Sequence, residues 1–294
     1  MTSTIERHNY DSVDEFLDAL RPDNTWWWTD SKARYNCPWI FRGQYNAAWP
    51  LLPTAWRKSS PLQEVANRIQ SRAKGARHMG WSIAEAEWAC LKKFGAIASR
   101  FGFQLPEKFV GVNIGEIPWL LDGLAPIAQH HGIPTRLLDW SEGPLHAAYF
   151  ASSRHWRSEA TTDQKLAVFA LRRPNRSRFA ISIPKEGVAT REVLIFHRLP
   201  TQAFSPYLVP QRSVFIIYAG AWGNVAAEDK GLDELLEVAL ETPESPMLRV
   251  LTISVDHADE IEMRLNRSGI SRLTLMPSHD NLAQETILRL DEVE

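Results

Sequence analysis

Val13, Phe16, Leu17 and Leu20 recur on one face of a 3.6-residue period, and Ser12 with Glu15 forms a capping box ahead of them. The pattern predicts a helix over SVDEFLDAL that Pro22 and Asn24 terminate. A second capping box, Ser82 with Glu85, precedes Ala84, Trp88, Leu91, Phe94 and Ile97, again at helical spacing, and predicts a long helix over IAEAEWACLKKFGAIASRFG. A third helix is predicted from PWLLDGLAPIAQHH to Gly132, with Pro134 as its stop. LDELLEVAL and ADEIEMRLNRSG read as later helices, the second ending at Gly269.

Other segments alternate with a period of two. LAVFAL (166–171), REVLIFHRL (191–199), RSVFIIYAG (212–220) and MLRVLTISV (247–255) read as strands. Trp39, Ile40 and Phe41 form a short strand that Gly43 breaks, with Arg42 at its end, where a side chain can leave the sheet and face a ligand. ISRLTLMP reads as a last short strand. Helices come first and mixed elements follow, so the expected class is α+β, a single domain with N-terminal helices packed on a mixed central sheet.

The chain has 294 residues, 44% of them hydrophobic, enough for a sizeable core. Its 33 basic and 35 acidic residues leave a net charge of -2, so nothing draws it generally to nucleic acid or anionic lipid, and any anion site is local. Two cysteines, Cys37 and Cys90, cannot build a disulfide framework or a zinc cluster alone. The N-terminus has no apolar signal core and no run of 18 apolar residues occurs, so a soluble, cytoplasmic protein without membrane contact is expected. Twelve tryptophans are many, and Trp26 to Trp28 stand together. They suit an aromatic-rich core or a platform for a base or sugar.

The candidate chemistry gathers in QHHGIPTRLLDWSEGPLHAAYFA, residues 129–151. If PTRLLDW is extended, Thr135, Leu137 and Asp139 share one face, and Arg136, Leu138 and Trp140 the other. Pro144 suits a first helical turn, with Ser141 or Asp139 as N-cap. A strand, a corner and a helix N-terminus make a natural anion site. Alternatively, Asp139 merely caps the helix and Arg136 pairs with a scaffold acid. His130, His131 and His146 lack the i, i+4 spacing of a helical zinc site and have no cysteine nearby, so no metal is predicted. Two basic runs, Arg172, Arg173, Arg176 and Arg178, and Arg68, Arg72, Lys74 and Arg77, are either solvated faces or phosphate contacts for a nucleotide or nucleic acid. No G-x-S-x-G elbow, Walker A loop or G-x-G-x-x-G occurs, and Asp139, Glu142 and His131 lack the partners of a metal-dependent nuclease.

WIFRGQ followed by residues 129–151 resembles the FRG domain family, named for its Phe-Arg-Gly motif. SVDEFLDAL and LNRSGISRLTLMPSHDNLAQ look like its opening and closing segments, so the resemblance spans roughly residues 10–290. In SPYLVPQRSVF the likeness weakens: Gln211 remains, while Tyr207 and Ser213 stand where the family tends to carry Arg and Gly. The family occurs in bacterial and phage proteins, which implies an effector in their conflict, a defence protein or toxin. FRG is also similar to the Arg-Gly of arginine-serine-glutamate ADP-ribosyltransferases, TRLLDWS…AAYFA to their second motif, and TREVLIF to their glutamate strand. On that resemblance NAD is the substrate and Arg42 and Glu192 are catalytic. Phe41, Gly43, Gln44, Gln129, His131, Thr135, Arg136, Asp139, Trp140, Ser141 and Gln211 would then line the ligand. The alternative is a sensor in which the same Arg42 and Asp139 bind a nucleotide, nucleic acid or protein without chemistry.

Overall fold

The computed structural model describes residues 4–28, 37–72, 79–103, 105, 124–153, 164–173, 178–185, 188–197, 209–218, 230–239 and 246–290. Its strands are β1 (Ile5–Tyr10), β2 (Trp39–Gln44), β3 (Leu137–Ser141), β4 (Lys165–Arg172), β5 (Arg178–Lys185), β6 (Val188–His197), β7 (Ser213–Tyr218) and β8 (Leu248–Ser254). They form one eight-stranded sheet in the order β1-β8-β4-β2-β3-β7-β6-β5. β1 runs parallel to β8, and the other pairs are antiparallel. The helices are α1 (Val13–Ala19), α2 (Leu62–Arg72), α3 (Met79–Arg100), α4 (Leu124–His130), α5 (Pro144–Ser152), α6 (Leu232–Glu237), α7 (Ala258–Arg267), α8 (Arg272–Leu275) and α9 (His279–Leu288). The fold is mixed, as the α+β pattern requires.

Strand alternation divides the core in two. Ile40, Leu138, Trp140, Phe169, Leu171, Val214, Ile216 and Val250 pack on one side of the sheet with Leu232, Leu235 and Leu236 of α6. Trp39, Phe41, Val168, Ala170, Leu251 and Ile253 pack on the other with Phe16 of α1, the alanines of α5, and Ile261 and Leu265 of α7. Apolar area removed from water on both faces is the main force holding the sheet. Among the described residues no helix is long and apolar enough to cross a membrane.

The elements with the strongest periodicity lie where the pattern puts them. Ser12 Oγ accepts from Glu15 N at the start of α1. Gly132 and Gly269 take positive φ just beyond α4 and α7. Ile133 N donates to Ala128 O, and Ile270 N to Leu265 O, at these two ends, as in Schellman caps.

Four expectations need correction. β2 runs through Gly43 to Gln44 instead of breaking there. A Cβ on Gly43 would lie 1.9 Å from Ala147 O and 2.6 Å from Ala151 N, so the glycine lets α5 lie directly on the strand. α3 begins at Met79, before the Ser82 box. ISRLTLMP is the short helix α8, because Ser271 and Thr274 cap one another reciprocally. Neither Ser141 nor Asp139 caps α5: the N-cap is Gly143, and Ser141 Oγ accepts from Gly143 N at 3.0 Å. β1, β5, α2 and α9 went unpredicted.

The tryptophan cluster is structural. Trp27 is fully buried, edge-on to Phe41 with ring centroids 4.9 Å apart, and its Nε1 donates to Ala19 O. The Arg249 guanidinium lies over Trp26 at 4.2 Å and over Trp39 at 4.5 Å, with Nε donating to Glu6 Oε2 at 2.7 Å.

Candidate functional site

β2 and β3 touch through a single residue pair, Phe41 with Ser141. Two residues along, the register would set Gly43 against Asp139, yet no such pair forms, although β2 keeps six pairs with β4. The sheet therefore parts between β2 and β3. Arg42 reaches into the gap: its Nη1 donates to Asp139 O at 2.7 Å, across 97 residues of sequence. A side-chain guanidinium thus satisfies a carbonyl that a strand neighbour would otherwise take. Arg42 Nε donates to Gln44 Oε1 at 3.4 Å, and Gln44 Nε2 to Trp49 O at 2.8 Å.

On the β3 side a neutral relay orients the carboxylate. The Schellman end of α4 leaves Gln129 in the last turn, where its Nε2 donates to Asp139 Oδ1 at 2.6 Å. Thr135 Oγ1 in turn donates to Gln129 Oε1 and accepts from Leu137 N at 3.2 Å. Thr135 is itself fixed by the 3-10 turn Thr54–Trp56: Ala55 N donates to its carbonyl and Thr54 Oγ1 accepts from its N–H at 3.1 Å. That turn leads into Arg57, whose charge acts on the same carboxylate. Arg57 Nε donates to Leu52 O at 3.2 Å, and among the described residues its two terminal nitrogens have no protein acceptor.

Asp139 has an unusual combination of properties. It is exposed to solvent by surface area. Even so, desolvation is the largest influence on its titration and pushes the carboxyl upward, against the lowering effects of Arg42, Gln129 and Arg57 in that order. Water reaches the carboxylate where the strands part, while the protein packed beside it still disfavours its charged form. Arg57 shows the same signature, being exposed by area while burial lowers its pKa and Asp139 opposes that shift. A titratable pair perturbed in this way, beside a solvent-open gap in a sheet, is a candidate functional site.

Several residues expected at the ligand lie elsewhere. Arg136 is buried and scaffold-bound: its Nε donates to Glu87 Oε2 at 2.5 Å and its N–H to Glu87 Oε1 at 2.7 Å. Phe41 and Trp140 are core residues on opposite sides of the sheet. Gly43 lies under α5, and Ser141 Oγ is committed to Gln211 O at 2.7 Å. Gln211 Oε1 accepts from Ser213 Oγ. His131 is exposed beyond α4, its ring edge-on to His130. The basic run on β4 is partly absorbed: Arg173 pairs with Glu142 and donates to Cys37 O, and Arg172 lies over Trp39. Arg176, the side chain of Arg178, Lys74 and Arg77 fall outside the described residues, whereas Arg68 and Arg72 are exposed on α2. Among the described residues no cluster of three or more His, Cys, Asp or Glu could hold a metal ion.

Glu192 sits on β6, paired with Ile181, and its side chain is outside the described set. The register aligns Ile195 through Ile217 with Leu137, the first residue of β3, whereas Asp139 aligns through Phe215 with His197. Glu192 therefore lies beyond the start of β3, toward the opposite end of β6 from the level of Asp139. Arg57 and Thr54 went unnoticed in the sequence. They sit in a proline-rich connector without periodicity, and only the turn's bonds to Thr135 bring them in.

No curated protein and no solved structure matches the chain. The likeness to the FRG domain is narrower than the 10–290 span expected from the motifs. Residues 37–160, about 40% of the chain, match the FRG domain family model, a segment that holds Arg42, Gln44, Arg57, Gln129, Thr135 and Asp139 and leaves out Glu192 and Gln211.

Proposed function

We propose that this protein binds a phosphate-bearing nucleotide, of which NAD is the first to test, in the recess between β2 and β3. One observation carries the reading: where the sheet parts, Arg42 bonds the backbone carbonyl of Asp139, and the charges of Arg42 and Arg57 both act on its solvent-open carboxylate. Arginine forks match phosphate oxygens in pairs, and a recess strengthens such contacts relative to open surface. The net charge of -2 fits a local anion site in a chain that repels polyanions slightly elsewhere. Titration calorimetry with NAD and ADP-ribose tests it. Saturable binding that weakens at least ten-fold in Arg42→Ala and in Arg57→Ala, in a folded protein, is the expected result; no binding at millimolar nucleotide overturns it.

The raised carboxyl supports a second reading, an ADP-ribosyltransferase-like enzyme in which Asp139, and not Glu192, is the acidic group. The C1′–N bond to nicotinamide would break heterolytically, its electron pair leaving with neutral nicotinamide. An acceptor nucleophile would then bond to C1′ and give its proton to the Asp139 carboxylate. Nicotinamide release lost in Asp139→Asn but kept in Glu192→Gln favours this assignment; the reverse pattern restores Glu192, and no release leaves a binding module. A part in conflict between bacteria and phage rests on the FRG resemblance alone. Growth of a bacterial host expressing wild type or Arg42→Ala, with and without phage, tests it.

A further inference from the structure

The recess offers its ligand more than positive charge. Asp139 Oδ1 accepts from Gln129, whose amide is in turn oriented by Thr135, so the carboxylate cannot rotate without breaking its hydrogen bond to a fixed amide. Among the described residues Oδ2 receives no donor. The neutral relay leaves the carboxylate an acceptor, with one oxygen spoken for and one presented to solvent in the recess. Its nearest charges, Arg42 and Arg57, are both cationic. A cationic ligand group would be repelled by those guanidiniums, and an anionic one by Oδ2 itself. The group that suits Oδ2 while phosphate occupies the arginines is a neutral hydroxyl donor.

From this geometry we infer that Asp139 Oδ2 accepts a hydrogen bond from a sugar hydroxyl, so the site selects ribose-bearing over deoxyribose-bearing phosphorylated ligands. The inference rests on the nucleotide reading above and adds to it the class of sugar. Gln129 and Thr135 are positioning residues that act through Asp139. Arg57 belongs to the phosphate side and contributes nothing to the choice of sugar.

The test compares ADP-ribose with ADP-2-deoxyribose, by calorimetry on the full chain at neutral pH. A hydrogen bond to a charged acceptor corresponds to a preference of about ten-fold or more for the ribose form. Wild type is expected to show that preference, Asp139→Ala and Gln129→Leu to lose it, and Arg57→Ala to weaken both ligands while keeping their ratio. The wild-type comparison needs no variant to fold. Equal affinity of wild type for the two ligands overturns the inference and leaves the nucleotide reading standing. Selectivity that survives in folded Asp139→Ala overturns the assignment to that residue. Binding of neither ligand overturns the nucleotide reading, and the inference with it.

Discussion

Gly43 and Ala147 are in backbone contact: a methyl group at position 43 would stand 1.9 Å from the carbonyl oxygen of Ala147. The obstructing atoms belong to helix backbone, so no side-chain rotation relieves the clash. Gly43→Ala must push α5 off β2 and disturb the Ala147, Ala148 and Ala151 packing of the second core. We expect a loss of about 3 kcal/mol or more, at the top of the range for overpacking, read as a fall in the denaturation midpoint. A midpoint unchanged from wild type would show that α5 does not rest on β2 as described.

Glu87 and Arg136 form an ion pair with side chains 1% and 3% exposed, and Glu87 also accepts the Arg136 N–H. Removing the acid alone takes the neutralising carboxylate from a buried guanidinium, so Glu87→Ala should cost about 3–5 kcal/mol. Glu87→Leu combined with Arg136→Met removes both charges and should recover most of that loss. The unmet backbone N–H at position 136 leaves a residual cost of about 1–3 kcal/mol. Denaturant titration of the single and double variants measures this, and a double variant no better than the single one contradicts it.

These two pairs also show how far the sequence could be read. The helices and central strands were legible because their apolar residues recur at helical or strand spacing, and Gly132 and Gly269 mark ends that need positive φ. The proximity of Arg42 and Asp139 was an expectation of motif logic. What pattern could not reveal is which arginine does what. Arg136, next to the motif, is neutralised by an acid 49 residues earlier in the chain. Arg57 reaches the recess only because a 3-10 turn bonds to Thr135. Periodicity reports which face a residue takes within its own element and carries no record of partners from distant ones. The strand-like apolar run at ISRLTLMP misled for the opposite reason, since a local cap outweighed β propensity.

Asp139 makes stability depend on pH in a stated direction. Desolvation raises its carboxyl pKa above the unfolded value of about 3.9. The stability tied to its neutral form is complete below that unfolded value and is lost as pH rises through the folded one. An asparagine at this position would carry no such penalty and still offers an oxygen to Gln129. Asp139→Asn should therefore gain thermal stability over wild type as pH rises from about 4 to about 7, while its affinity for ADP-ribose falls. Melting curves across that range decide the matter: a difference that is flat, or shrinks toward neutrality, means the carboxylate is not desolvated in the folded protein.

Arg42 separates charge from shape. Its guanidinium spans two acceptors at once, the Asp139 carbonyl through Nη1 and Gln44 Oε1 through Nε, and so braces both sides of the gap between β2 and β3. A lysine there keeps the positive charge but presents one rotating ammonium, which cannot hold both acceptors and also fork onto phosphate. Arg42→Lys should fold with a modest loss, about 1–2 kcal/mol from the carbonyl it leaves unmet. It should bind NAD at least ten-fold more weakly than wild type, and its residual binding should fall more steeply with salt, because point-charge attraction is screened where paired hydrogen bonds are less so. Calorimetry at two ionic strengths measures both. Wild-type affinity in the lysine variant would mean that charge alone is recognised at position 42, and that the parted strands with their guanidinium brace are architecture without a ligand.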